Sequence, residues 1–425
     1  MACTRPYDAF TRLSGDASAG GLRLAMPEEG ADPGTEDGAV GPELTSILDL
    51  LDPAERGRLV DELGEERAEG EVVSALARYR ADIRLRRWRA RAQQDADLFW
   101  AGQERFERSL ASWPWGPGFT GLDHLIVVSG RAGVRHWRRG AADVKRDQDA
   151  RWWALALLHR RALLVTSEVR ALLRSGHASG ALARWRTLYE VSVVAMFLQE
   201  HDDETAGRYL AHEAVQRAND LRGLMAAGDA FASSLPDEDQ IREIFAEEKR
   251  LRRLYGKAFA QPYGWARNAF DKRKVPQLTD LERSLSWGHW RPYVNLAHGP
   301  IHAGAHALYF DIGVPDDWEV GPAGATNMGM LDPGQFTAIS LAMCMTAWLT
   351  VRPDIESLAD AIALGDLADL VSEAFATGAG ELEESIRAEQ EEKRRLRRER
   401  AAAKVASSDP SEAASSKRQG PPPPS

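Results

Sequence analysis

Residues 151–176 read RWWALALLHRRALLVTSEVRALLRSG. Trp152, Trp153, Leu155, Leu157, Leu158, Leu163, Leu164, Val169, Leu172 and Leu173 are too many apolar positions for one stripe on an exposed helix, so the segment 143–175 predicts a helix at the centre of a core. Gly176 ends it. From Ala181 to Leu198 the pattern repeats through Leu182, Trp185, Leu188, Tyr189, Val193, Met196 and Phe197, and Asp202-Asp203 restart the chain. Two such helices joined by a short turn predict an antiparallel hairpin and set the fold class as all-α.

Toward the C-terminus the same grammar recurs. A third helix is expected over 204–227, a fourth and more charged one over 237–255, and another start is expected at Thr279 with Glu282 three residues on. Asp332-Pro333-Gly334-Gln335 has the composition of a helix opening and predicts an apolar helix over 334–351, followed by one over 355–376. Residues 381–404 alternate in charge along a helix with little apolar surface, and 401–425 run out into Ser, Ala and a Pro tract.

Toward the N-terminus, residues 1–42 are rich in Gly, Ala, Asp, Glu and Pro without periodicity and predict a flexible tail. Asp52-Pro53-Ala54-Glu55 starts a helix to about Leu63, and apolar positions from Val72 onward predict a long helix to about Leu110. Trp113 to Gly118 carries two Pro and two Gly and reads as a break and a domain boundary. Leu125 to Val128 is the one short run that resembles a strand. The expected organisation is a tail over 1–42, an N-terminal helical region with a basic helix over 43–118, a main multi-helix bundle over 140–378, and a charged helix with a disordered Pro-rich end over 379–425.

Composition narrows the function classes. The 425 residues are 44% hydrophobic and 28% charged with a net charge of -10, which argues against general coating of nucleic acid while leaving room for a local basic patch. Cys3 and Cys344 are far apart in sequence, so neither a disulfide framework nor a zinc-thiolate site is expected, and a reducing cytoplasm fits. Phe336 to Val351 is shorter than the roughly 20 residues a spanning helix needs and carries Thr and Ser, so no membrane partner is expected. Walker A, His-Glu-x-x-His, Gly-x-Ser-x-Gly and dinucleotide fingerprints are absent from the sequence, and no cofactor is expected.

Chemistry concentrates between Trp287 and His306, where four of the ten histidines lie: His289, His298, His302 and His306. Arg291 precedes His298 by seven positions, a pairing that presents a fixed cation and a titratable imidazole to one phosphate. In that reading His298 moves a proton at a ribose hydroxyl, Arg291 stabilises phosphate charge, and Asn295, one helical turn from Arg291, holds substrate. The plainer reading has Arg291 pairing locally and His298 packing on a neighbouring helix. Tyr293 would support the segment. His298, His302 and His306 are four apart and would share a helical face fit for a metal, but Pro300 interrupts that helix and no metal is expected.

Two further sets of residues bear on that segment. Arg186 and Glu190 are four apart on the second hairpin helix, either a surface pair or, if buried, a polar element that orients Arg291 or His298. Arg78, Arg80, Arg84, Arg86, Arg87, Arg89 and Arg91 make a basic helix with Asp82 as its one acid; Arg84, Arg87 and Arg91 are the candidate phosphate contacts. The alternative is a solvated face or an acidic protein partner.

The Arg-x6-His spacing of Arg291 and His298 on an all-helical core resembles the motif of the HEPN superfamily. That resemblance implies a helical bundle, a homodimer with the motifs facing each other, and metal-independent cleavage of RNA in defence or toxin systems. Where the superfamily has a polar residue soon after the Arg, this chain has Pro292, Tyr293 and Val294. The hairpin from Gly176-His177-Ala178-Ser179 through Arg184, Arg186 and Glu190 to Tyr209 also resembles an uncharacterised bacterial family of helical proteins, which implies no activity. The competing expectation is a non-catalytic interaction or regulatory scaffold.

Overall fold

The computed structural model describes residues 53–228, 235–270, 274–301 and 324–407. The tail expected at 1–42 and the Pro tract lie outside them. Among the described residues there are twelve α-helices and no strand, so the chain is all-α. It divides into two compact units, residues 1–101 and 102–425.

In the first unit, α1 spans Pro53–Leu63 and α2 begins at Glu65, running to Ser112. The arginines at 84, 87 and 91 are exposed on α2, and Trp88 beside them is 66% exposed.

The second unit is built on α3 (Gly116–Asp147), α4 (Ala150–Arg174), α5 (Ala178–Glu200), α11 (Leu331–Thr350) and α12 (Ile355–Ser407). The expected hairpin is α4 and α5. Asp149 caps α4 by accepting from the Trp152 amide at 2.8 Å, which satisfies one of the donors that a helix start leaves unpaired. At the other end Gly176 takes a φ of +80°, and the His177 and Gly176 amides close onto Leu172 O at 2.8 Å and Leu173 O at 3.0 Å. That 6→1 and 5→2 pairing turns the chain back at once, and α5 packs along α4. Helix α11 lies against α4, α5 and α12, which explains why its sequence is apolar on every side. Trp115, Trp152, Trp185, Trp348, Tyr189 and Phe375 are essentially solvent-free in this core, each adding about 1.5–3 kcal/mol or more through the apolar surface it buries.

Shorter elements close one flank: α6 (Asp203–Ala211), α7 (Glu213–Ala226), α8 (Glu238–Tyr255), α9 (Leu278–Ser284) and α10 (Arg291–Leu296), with 3-10 turns at Lys257–Ala260, Gly264–Ala269, Gly288–Trp290 and Gly299–Ile301. No helix is long and apolar enough to cross a membrane among the described residues.

Several expectations need correction. Leu125–Val128 lies inside α3, a 32-residue helix. The expected 204–227 helix is two helices meeting at the buried His212. Helix α9 is capped by Gln277 and Asp280, whose carboxylate takes the Gln277 amide at 2.8 Å, and not by Thr279 and Glu282. Asp332 sits within the first turn of α11, which starts at Leu331 without a side-chain cap. The helices expected at 355–376 and 381–404 are one continuous α12 of 53 residues that passes through Gly378 and Gly380 and extends to Ser407.

Candidate functional site

Helix α5 supplies the floor of the site. Its register buries Trp185, Leu188 and Tyr189, which carries Arg186 and Glu190 to the margin of the buried face, with side chains 25% and 37% exposed. Arg186 Nη1 reaches Glu190 Oε2 at 3.4 Å, and Arg186 Nε donates to His298 Nε2 at 3.3 Å. The other Glu190 oxygen, Oε1, accepts from the Tyr263 hydroxyl. Tyr263 has a left-handed φ of +57° immediately before the Gly264–Ala269 turn. A bulky residue held in that region costs roughly 1–3 kcal/mol and persists where its surroundings over-determine it.

Helix α9 brings Glu282, which is 2% exposed and pairs with the Arg291 guanidinium at the start of α10. The segment between them is docked by rings: Trp290 lies 6.2 Å from Trp185, 6.1 Å from Tyr189 and 5.5 Å from Phe336. Burial, then the charge of Glu282, pushes the Tyr189 hydroxyl well above the ordinary tyrosine range. Tyr189 Oη and Glu282 Oε1 are nonetheless both buried without a hydrogen bond of normal geometry, so their relation is electrostatic. Tyr263 is raised likewise, by burial first and by Glu190 second, with Glu282 also acting on it. Glu282 therefore acts on Tyr263 beside Glu190 and on Tyr189 beside Arg291, which places Arg186, Glu190, Tyr263, Tyr189, Glu282, Arg291 and His298 in one neighbourhood with two guanidiniums and two carboxylates.

The residues singled out in the sequence divide accordingly. Arg186, Glu190, Arg291 and His298 take part in this chain of contacts. Asn295 is exposed on α10. Tyr293 is 42% exposed and packs edge-on against Trp290 and at a tilt against Phe336, at 6.0 and 4.8 Å between ring centres, a packing position. Arg84, Arg87 and Arg91 belong to the other unit. Helix α10 ends at Leu296, before His298, so Arg291 and His298 do not share one helix; His302 and His306 lie outside the described residues. Among the described residues no three His, Cys, Asp or Glu side chains gather as a metal would require.

Tyr263, Tyr189 and Glu282 were not found from sequence. Glu282 had the spacing of a helix cap, and Tyr189 the periodicity of a core position. The Pro262-Tyr263-Gly264 turn was the one local signal for Tyr263.

Beside Glu190 and Tyr263 opens a cavity of about 820 Å³. It is lined from α4 by Leu157 and Arg161, from α5 by Thr187 and Val194, from the α6–α7 corner by Tyr209 and His212, and by Trp265. Burial and then Glu190 push the Tyr209 hydroxyl up to about 12, so at neutral pH it is a neutral hydrogen-bonding group. His212 Nε2 donates to the Gln261 carbonyl, 3.2 Å away, and burial lowers its pKa below the ordinary histidine value.

No curated protein and no solved structure matches this chain. Residues 153–319 match a family of unknown function, DUF5677, and that span contains every member of the polar cluster and every residue that lines the cavity.

Proposed function

We propose that the cluster around His298 is a metal-independent RNA-cleaving site. The observation that carries the reading is the hydrogen bond from Arg186 Nε to His298 Nε2. A guanidinium has donors and no acceptor, so the imidazole nitrogen facing it carries a lone pair, and His298 is held in its base form with the proton on Nδ1. A phosphodiester entering the site draws Arg186 and Arg291 toward its oxygens and frees His298 Nε2. That nitrogen then takes the proton of a ribose 2′-hydroxyl as O2′ bonds to phosphorus. The P–O5′ bond breaks, leaving a 2′,3′-cyclic phosphate, and the departing 5′ oxygen takes a proton from solvent. Asn295, exposed one turn from Arg291, contacts substrate. A cytoplasmic homodimer with facing clusters, and a role in defence or as a toxin, belong to the same reading.

One observation favours a second reading. Glu190 and Glu282 already neutralise Arg186 and Arg291, as in a polar core that orients helices in a non-catalytic scaffold. Incubation of the purified protein with a mixed RNA pool in chelator decides between them. Cleavage by wild type that is lost in His298→Ala supports the nuclease. No cleavage by wild type, or equal cleavage by both, removes it.

A further inference from the structure

The cavity of about 820 Å³ beside Glu190 is within the size range of small-ligand sites, roughly 300–1,000 Å³, and is lined by both polar and apolar side chains. Its charged groups are unequal. Glu213 at the mouth is paired with Arg217 at 3.8 Å, whereas exposed Arg161 makes no ion pair with any described residue and offers its guanidinium to an anion. Glu190 holds Tyr263 on one oxygen and Arg186 on the other. A carboxylate has about four acceptor positions, so each oxygen retains one for a ligand. Tyr209, Tyr263 and Trp265 supply ring surface around it.

These features ask for a ligand with a planar ring, two adjacent hydrogen-bond donors on one edge to satisfy both oxygens of Glu190, and a negative group within reach of Arg161. Among the nucleobases guanine presents two neighbouring donors, N1–H and the N2 amino group. Adenine and cytosine present one amino group beside an acceptor, and uracil one N–H between two carbonyls. We infer that this cavity is a guanine-reading subsite, which takes the base of one RNA nucleotide against Glu190 and its phosphate on Arg161. The inference rests on the RNA-cleaving reading for the source of the nucleotide. Because Glu190 also holds Arg186, which holds His298, a base seated on Glu190 is two contacts from the proposed base catalyst.

The test is direct binding, measured by calorimetry on the full chain, with the four nucleoside monophosphates and with short oligoribonucleotides containing one guanosine or none. Expected are selective binding of guanosine monophosphate, about tenfold or more over the other three, and tighter binding of the oligonucleotide that contains guanosine. Arg161→Ala, at an exposed position, weakens the monophosphate about tenfold and leaves guanosine itself unchanged. Leu157→Trp, at a position 46% exposed on the rim, blocks both. Equal binding of all four nucleotides, selective binding that Leu157→Trp leaves intact, or an oligonucleotide that binds more weakly than free nucleotide overturns the inference. The two proposals separate cleanly. Cleavage that needs His298 but shows no guanine selectivity removes the subsite and keeps the nuclease; selective guanine binding without cleavage does the reverse.

Discussion

Arg186 Nε donates to His298 Nε2 at 3.3 Å and joins two residues 112 positions apart in the chain. The same guanidinium reaches Glu190, so one planar fork sets the orientation of the imidazole. A lysine cannot reproduce this, because a single ammonium does not span both acceptors in a fixed plane. In the nuclease reading Arg186→Lys lowers kcat by about 10²-fold with a smaller change in KM, as expected when a proton-transfer group loses its positioning. A steady-state assay on a defined oligonucleotide measures this, and an unchanged kcat refutes the role.

Glu282 is buried and neutralises Arg291. Glu282→Ala leaves the guanidinium, itself 29% exposed, without its carboxylate. Breaking a fully buried pair costs about 3–5 kcal/mol, and partial exposure of Arg291 lowers the expectation to roughly 2–3 kcal/mol. Urea denaturation measures the loss as a lower midpoint at unchanged slope.

Acid stability is governed by a different cluster. His159 is 8% exposed, stacked on Trp348, and its Nε2 has no hydrogen-bond partner; burial lowers its pKa from the ordinary 6.5 to about 4. His136, between Trp152 and Trp348, is lowered in the same sense, again mainly by burial, with Arg139, Asp354 and Asp360 nearby. Below pH 6.5 the unfolded chain takes up a proton that the folded protein refuses until about pH 4. Stability is therefore full above pH 6.5, and His159 alone removes roughly 3 kcal/mol of it as the pH falls through that window. Denaturation midpoints between pH 7 and 4 give the slope, and His159→Gln flattens it.

Gly133 faces the His159 ring so closely that an added Cβ would overlap it, whereas nothing lies within 4 Å of a Cβ at Gly365 on α12. Gly133→Ala destabilises by about 2–4 kcal/mol through displacement of a packed ring. Gly365→Ala stabilises by about 0.5–1 kcal/mol, the ordinary gain for alanine in a helix interior. Thermal melts of the two variants shift in opposite directions.

The exposed face of α2 gives a salt-dependence prediction. Arg84, Arg87 and Arg91 recur at helical spacing on one side. If each meets a phosphate of single-stranded RNA, the variant with all three changed to Gln lowers the slope of log K against log salt by about 2. An unchanged slope assigns this face to a protein partner or to solvent.

Much of the helix order is legible because helix rules are local. Gly176 stops α4, Asp202 and Asp237 cap α6 and α8, and the apolar count of 151–173 marks the core. The same local rules failed at α3, where Leu125 to Val128 resembled a strand inside a helix that contains Gly130, Gly133 and Gly140. At Gly133 and Gly140 the absent side chain makes room for the rings of His159 and Trp152, which belong to another helix. They failed again at Gly378 and Gly380, through which α12 continues while packed on α11 and α3.

The site divides in the same way. Arg186 and Glu190 were legible as a pair because i and i+4 meet on any helix, whereas Arg291 and His298, singled out by their spacing, share no helix and take different partners. That Arg186 faces His298, that Glu282 leaves the cap to hold Arg291, and that Tyr263 reaches Glu190 depend on segments 73 to 112 residues apart, or on a short helix docked by Trp290. By itself the sequence determined the helical class and most of the helices, since capping, glycine stops and apolar periodicity act within a turn or two of chain. Only the tertiary structure decided which charges meet, because a half-buried guanidinium takes whichever carboxylate or imidazole the packing of distant helices leaves within its reach.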